Sequence, residues 1–335
     1  MIFITAVILA LALGNTFRLR NNSWHLHDFN AERTLPLRGI AAIIIVLCHV
    51  ARNVPDVPVL NQALPCGSLA VSLFFFLSGY GLMISYINKG DGYLDGFLRR
   101  RFVKMLPAYL TAAIGFEIYQ LITRPHNPIA SIAAIAHGST ILPDSWFIIV
   151  IMVYYLLFYV IARLVHNSRN VVIALWVASA FYIITIHSLG WGSYWYKTVC
   201  AINIGFTYAL VEKRLKEHFA NHRSSLLAAT WLLAIVSVSS FLSGFTSHSF
   251  QLVGHMLTPL LVVLAVYVMG MCRSRVLNFL GTISYEIYVM QCIWRHKLFV
   301  TSSLHWSVYL ISTLAVTIFT AWLLNRVFKK LYTLR

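Results

Sequence analysis

An arginine and a histidine bracket one strongly apolar stretch, LRGIAAIIIVLCHV, which runs from Leu37 to Val50. Arg38 and His49 are eleven residues apart, so a helix would place both side chains on one face, about 16 Å apart along its axis. A neutral imidazole is well suited to accept a proton from a hydroxyl at neutral pH. The alternative is structural: His49 would be hydrogen-bonded at a membrane boundary, and Arg38 would be a positive anchor.

A cluster of cations forms the second candidate site, in the stretch FLRRRFVKMLPAYL that begins at Phe97. Arg101 and Lys104 are three residues apart and would share one face of a helix, where they could clamp a polyanion such as a nucleotide pyrophosphate. Contact with anionic lipids is the alternative. The sequence contains neither GxxxxGK[ST] nor GxGxxG, which argues against nucleotide hydrolysis and dinucleotide redox chemistry.

Two acids, Glu117 and Glu286, fall inside apolar stretches. Either could pair with a buried cation or orient an imidazole, and either could be a structural carboxyl. No acidic pair has the spacing of a metal site, and His25 and His27 lie in a short polar loop. We therefore predict no metal site, and we interpret the five cysteines, which lack CxxC spacing, as packing residues.

These residues lie in a chain with the composition of a membrane protein. Of its 335 residues, 59% are hydrophobic and 11% are charged, and the mean hydropathy is +0.75. Apolar runs of about 20 residues, enough to cross a hydrocarbon core, recur from end to end. They predict an all-α polytopic transmembrane helical bundle with about ten core helices plus one N-terminal span. The predicted spans are 1–17, 36–53, 66–87, 103–123, 146–164, 170–187, 197–211, 224–243, 253–271, 277–296 and 306–326.

Loop charges orient the predicted bundle, because short loops rich in Lys and Arg stay cytoplasmic. Of the 26 Lys and Arg residues, 21 fall in alternate connections that we assign to the cytoplasm together with the C-terminus. The first span could be a cleaved signal peptide, but no basic region precedes it, and Arg18 and Arg20 follow it as in an anchor. We expect residues 1–35 to form this anchor and a short loop, and residues 36–335 to form the membrane domain.

Four segments, taken in order, resemble the acyltransferase-3 family of integral membrane O-acyltransferases. They are LRGIAAIIIVLCHV, FFFLSGYGLMI, FLRRRFVKMLPAYL and FLGTISYEIYVMQCIW, with DSWFI around Trp146 as a weaker fifth. The resemblance runs from residue 37 to residue 294 and implies about ten core helices. It implies that an acyl group, usually acetyl, passes from cytoplasmic acyl-CoA to a hydroxyl of a glycan or lipid-linked sugar at the outer face of the cytoplasmic membrane.

The resemblance also implies roles for individual residues. His49 would be catalytic, as a base or as a transient acyl carrier, while Arg38, Arg101 and Lys104 would contact acyl-CoA. Two features depart from the family pattern: Gln291 stands where many members carry a histidine, and this chain has an extra N-terminal span without the extracellular hydrolase domain that some members append. We expect the acceptor to be handled by the membrane domain or by a partner.

The function predicted from these features is membrane O-acyl transfer with acyl-CoA as donor substrate. The partners would be a glycan or lipid-linked sugar and membrane lipids. The net charge of +16 does not indicate nucleic-acid binding, because apolar segments interrupt every basic cluster. The alternative is a transporter or flippase for a sugar or lipid-linked glycan. Such proteins often carry internal repeats, and none is evident here, which favours the enzyme.

Overall fold

The structure is a computed structural model that describes residues 2–20, 26–30, 33–123, 127–242, 248–271, 274–301 and 305–333. Within these ranges the chain forms helices and turns and has no strand. The α-helices in the described ranges are α1 (Ile2–Arg20), α2 (Thr34–Asn53), α3 (Pro58–Asn61), α4 (Cys66–Lys89), α5 (Phe97–Thr123), α6 (Pro128–Ala133), α7 (Trp146–Val165), α8 (Ser168–Ser188), α9 (Cys200–Asn221), α10 (Arg223–Leu242), α11 (His248–Met269), α12 (Arg275–Thr282), α13 (Ser284–Thr301) and α14 (Trp306–Thr333).

The prediction of an all-helical membrane bundle is confirmed. In the described part of the chain, eight helices are long and apolar enough to cross a membrane, or nine if α12 and α13 form one broken span. The sequence predicted eleven spans, and α1 and α9 are helices at predicted positions that are not among the eight. The apolar part of α9 is short because charged residues crowd its second half: Glu212, Lys213, Arg214, Lys216 and Glu217.

Helix α4 packs against α9 at two glycines that allow their backbones to touch. A methyl group added at Gly79 would lie 2.1 Å from the carbonyl oxygen of Ile202, and one added at Gly205 would lie 2.2 Å from that of Phe76. Around this contact, the buried rings of Phe75 and Phe76 form part of the main hydrophobic core. Small residues are the usual means by which membrane helices approach closely.

A second close contact joins the start of α2 to α12. The Cβ that Gly281 lacks would lie 1.9 Å from the carbonyl oxygen of Leu35, and that of Gly39 would lie 2.6 Å from the carbonyl oxygen of Leu277. Helix α12 then ends, and the chain bends by 72° before it continues as α13. The single span predicted at 277–296 is therefore two helices, and α12 fixes the end of α2 that carries Arg38.

Helix α5 begins at Phe97, six residues before its predicted start. Its basic first turns are helical because their guanidinium groups have local partners: Arg100 donates to the carbonyl oxygen of Tyr93 at 2.7 Å, and Arg101 donates to the Tyr93 hydroxyl at 2.7 Å. Because the helix begins this early, Pro107 lies inside it and not in its first turn. Arg101 and Lys104 are thus one helical turn apart, as the sequence predicted.

Helix α1 packs against α10 and α11 in a hydrophobic cluster that includes Ile4, Ile8 and Ala12. Polar contacts reinforce it: Asn15 donates to the Thr230 hydroxyl at 3.4 Å, and the indole N–H of Trp231 donates to the Thr16 hydroxyl at 3.1 Å. The expected division into an anchor at 1–35 and a membrane domain at 36–335 stays a prediction.

Replacing Gly79 with alanine should destabilise the bundle, because the added methyl group has no space against the α9 backbone. Overpacking of this kind costs about 1–3 kcal/mol. Gly81→Ala is the matched control, two residues along the same helix, where nothing lies within 4 Å of the added carbon. We expect a lower Tm in detergent for Gly79→Ala than for Gly81→Ala, and equal values would show that the α4 and α9 backbones can separate without cost.

Candidate active site

His49 is buried near the end of α2, where it is hydrogen-bonded to α13. Its Nδ1 lies 2.9 Å from Oε1 of Gln291, and Gln291 Nε2 donates to the Cys292 sulfur at 3.1 Å. Since Gln291 Oε1 can only accept, Nδ1 of His49 carries the proton and Nε2 carries the lone pair. Among the described residues, no protein group is hydrogen-bonded to that Nε2. The histidine is therefore held in the tautomer that a base or a nucleophile requires.

Gln291, which departs from the family pattern, contacts the ring of His49. Where many members of the resembled family carry a histidine, this chain places an amide whose carbonyl oxygen contacts the His49 ring directly. Gln291 is completely buried, and an amide has no charge state to vary with pH. This neutral hydrogen-bond acceptor fixes the orientation of the His49 ring.

Asp144 holds two arginines beside His49. Its carboxylate accepts from Arg295 at 2.5 Å and from Arg52 at 3.3 Å. Burial acts to raise the pKa of Asp144, but the nearby His49 ring and the two guanidinium groups outweigh it and hold that pKa below its usual value. Only 5% of the Arg295 side chain is exposed, so this carboxylate supplies the compensating charge that a buried guanidinium needs.

The backbone at Asp144 is in the left-handed region, with φ at 59°. Aspartate enters this region more readily than most residues, at some cost in free energy. The Tyr288 hydroxyl donates to the Asp144 carbonyl oxygen at 2.5 Å. This contact from α13 supports the turn that presents the carboxylate, immediately before α7 begins at Trp146.

A cavity of about 530 Å³ lies at His49, and we call it the His49 cavity. Its lining includes His49 and Arg52 from α2, Asp144 and Trp146 from the start of α7, and Tyr288 from α13. The indole of Trp146 packs near Phe75 and Tyr194. The site combines a histidine nitrogen that has no hydrogen-bond partner among the described residues with a wall that carries several charged groups.

A second cavity, of about 320 Å³, lies at the other end of α2, and we call it the Arg38 cavity. It brings together the three cations that the sequence singled out, Arg38, Arg101 and Lys104. The Arg101 guanidinium lies over the Tyr155 ring, 5.4 Å from its centroid. Among the described residues, Arg38 and Lys104 have no hydrogen-bond or ion-pair partner. Tyr288 also lines this cavity, so one side chain contributes to both.

Of the two acids named in the sequence, the structure brings one to a candidate site. Glu286 lines the Arg38 cavity, where it accepts a hydrogen bond from Asn325 at 2.7 Å, and its second carboxyl oxygen is buried without a hydrogen-bond partner in the described part of the chain. Glu286 therefore lies among the cations and does not orient His49. Glu117 is half-buried in α5 and lines neither cavity.

Possible metal ligands and the cysteine thiols were also considered in the sequence. Within the described ranges, no three His, Cys, Asp or Glu side chains are grouped so that they could hold a metal ion. The described cysteines, Cys48, Cys66, Cys200 and Cys292, are free thiols, and all but Cys200 are buried. Cys272 and His25 lie outside the described residues.

Sequence reasoning missed several residues of the two cavities. Asp144 lies in DSWFI, but only Trp146 was singled out there, and Arg52 and Arg295 were among the five Lys and Arg residues outside the connections assigned to the cytoplasm. Lys329, which lines the Arg38 cavity, was likewise counted among the charges at the C-terminus. The available signal for Asp144 was its place directly before an apolar helix in a motif of the resembled family.

The fold and the two cavities define an integral membrane protein with a buried histidine in one cavity and a cluster of cations in the other, at opposite ends of one helix. The chain belongs to the acyltransferase-3 family, whose acyltransferase domain matches residues 37–326. It is similar to the acyltransferase MdmB of Streptomyces mycarofaciens, with 34% identity over 117 residues that cover 33% of this chain. The match spans 30% of that relative's length. No solved structure matches the chain. The family inferred from the four motifs is confirmed.

Replacing Asp144 with asparagine should lower the stability of the protein, because it leaves the buried Arg295 without a compensating charge. We expect a loss of about 2 kcal/mol, since hydrogen bonds to charged groups contribute roughly 1.5–3 kcal/mol. The control is Asp95→Asn, because Asp95 pairs with Arg163 at 2.6 Å but is 72% exposed, and exposed pairs contribute less than about 1 kcal/mol. Thermal unfolding in detergent measures both. An equal fall in Tm for the two variants would contradict a structural role for the Asp144 ion pairs.

Proposed function

We propose that the protein transfers an acyl group, acetyl in the first instance, from cytoplasmic acyl-CoA to a hydroxyl of a glycan or lipid-linked sugar. The observation that carries the proposal is the arrangement of α2. Near its start, Arg38 lines a cavity with two further cations, and near its end His49 lines a second cavity, with Tyr288 in the walls of both. A donor with phosphates at one end and a thioester at the other fits this arrangement.

The Arg38 cavity would hold the phosphates of the donor. Arg38, Arg101 and Lys104 converge there, and the first and the last lack protein partners among the described residues. Guanidinium groups bind phosphate oxygens through paired, charge-assisted hydrogen bonds. Because the loop charges assign this end of the bundle and the C-terminus to the cytoplasm, we place the donor site at the inner face of the cytoplasmic membrane.

The thioester would meet the acceptor at Nε2 of His49. In the step that we propose, Nε2 takes the proton of the acceptor hydroxyl while the hydroxyl oxygen attacks the thioester carbonyl carbon. The carbon–sulfur bond then breaks, and the proton passes to the departing thiolate to give free CoA. The tautomer fixed by Gln291 serves equally if Nε2 attacks the thioester itself and carries the acyl group to the acceptor.

Replacing His49 with alanine should reduce transfer by about 10²–10⁴-fold, which is the usual contribution of a general acid or base. The matched control is His187→Ala, which removes an exposed histidine at the end of α8. Mass spectrometry of surface glycans from cells that produce each variant at equal level measures the mass of one acyl group. If His49→Ala cells kept that mass at the level of the control, His49 would not be catalytic. Acceptor movement across proteoliposome membranes without acylation would favour a transporter.

Replacing Arg101 and Lys104 together with glutamine should weaken acetyl-CoA binding by at least about tenfold, since charge-assisted hydrogen bonds contribute roughly 1.5–3 kcal/mol each. The control is Arg169→Gln with Lys213→Gln, which removes two exposed cations that line neither cavity. Equilibrium binding of labelled acetyl-CoA to protein in detergent gives the Kd without any acceptor. Equal Kd values for the two double variants would overturn the donor site.

A further inference from the structure

Three polar side chains in the wall of the His49 cavity have no hydrogen-bond partner within the described protein: Lys197, Thr198 and His255. Thr198 is 1% exposed and its hydroxyl oxygen is unpaired, and His255 is 2% exposed and its Nδ1 is unpaired. Buried polar groups are nearly always hydrogen-bonded, because an unpaired one costs about 1–3 kcal/mol. Two such groups, Thr198 and His255, together with the half-buried Lys197, indicate a surface that complements a polar ligand.

Lys197 carries a charge that this cavity does not balance. Lys197 is half-buried shortly before the start of α9, and burial together with the nearby Arg52 lowers the pKa of Lys197. The acid that lines the cavity, Asp144, is already paired with Arg52 and Arg295. The cations around the cavity therefore exceed its acids, and a ligand with a negative group would balance the excess.

His255 lies next to this charge, in α11. Its ring packs edge-on against Phe241, 5.8 Å between centroids, and it is close enough to Lys197 for an electrostatic interaction. His255 and Lys197 come from different elements, and both line the cavity that holds His49. A second imidazole in the cavity of a reactive histidine is placed to hydrogen-bond a hydroxyl of the same ligand.

We infer that Lys197, Thr198 and His255 form the acceptor subsite, and that the acceptor is a hydroxyl compound that also carries a carboxylate or a phosphate. Lys197 binds the anionic group, and Thr198 and His255 bind neighbouring hydroxyls, so that the reacting hydroxyl faces Nε2 of His49. This inference rests on the proposed function, because the bound compound is an acceptor only if the protein transfers an acyl group to it. The binding that it describes needs no acyl-CoA and can be tested alone.

The test uses thermal unfolding of the purified full chain in detergent, without acyl-CoA. The probes are glucuronic acid, glucose 1-phosphate and methyl glucoside, which offer a carboxylate, a phosphate and no charge on similar hydroxyl frameworks. A ligand that binds only the folded state raises the Tm in a saturable way. We expect at least one of the two anionic sugars to raise the Tm by a few degrees and the neutral one to leave it unchanged.

Substitutions at Lys197 and His255 test whether the rise in Tm comes from binding at this subsite. Lys197→Gln should abolish the advantage of the anionic sugars, and His255→Phe should reduce the shift by removing a hydrogen-bonding group from the cavity. The control is Lys89→Gln, which removes an exposed cation at the far end of α4 and should keep the full shift. Which of the two acids gives the larger shift distinguishes a carboxylate from a phosphate.

Three results would overturn the inference: equal shifts with the neutral sugar, no shift with either acid, or an unchanged shift in Lys197→Gln. None of them bears on the proposed function, which is decided by acyl transfer and acetyl-CoA binding. Conversely, binding of the anionic sugars through Lys197 without any acyl transfer would support the subsite and contradict the proposed function.

Discussion

The structure of the site depends on one carboxylate. Asp144 binds Arg52 of α2 and Arg295 of α13, so it joins the ends of two helices to the start of a third, α7. The same two helices supply His49 and Gln291, each within one turn of the arginine that it accompanies. When the ion pairs fix the register of α2 against α13, they also bring the imidazole and the amide to 2.9 Å. The orientation of the His49 ring therefore depends on the neighbouring ion pairs of Asp144 with the two arginines.

The opposite end of α2 is held by contact between backbones. Gly281 and Gly39 let α12 approach the first turns of α2, and the chain then bends by 72° into α13. Helix α2 is thus fixed by glycine packing against α12 at one end and by the ion pairs of Asp144, shared with α13, at the other. The bend gives α13 a direction of its own, so that it can contact both cavities through Tyr288. The separation between Arg38 and His49 is set by a rigid helix with both ends restrained.

Periodic features of the sequence predicted much of this arrangement. The spacing of Arg38 and His49 within one apolar stretch was enough to assign them to one helix, and the charges near Arg101 predicted a cationic site. The pairing of Asp144 with Arg295 spans 151 residues, and no local pattern encodes so distant a contact. The bend at Ile283 was missed because no proline marks it and the run on both sides of it is apolar enough to be taken as one span. The early start of α5 was missed because charges ordinarily end a span, while here Tyr93 satisfies them.

Tyr288 gives the protein a property that neither cavity has alone. Its ring packs against Phe147, 5.3 Å between centroids, and its hydroxyl is hydrogen-bonded to the Asp144 backbone, at the place where the two cavities approach each other. Hydrated cavities that entered a membrane from both faces and joined would conduct protons and dissipate the electrochemical gradient. Tyr288 lines both cavities, so its side chain lies in the path that such a column of water would take. In a protein whose two cavities opened to opposite faces, this side chain would keep the membrane electrically insulating.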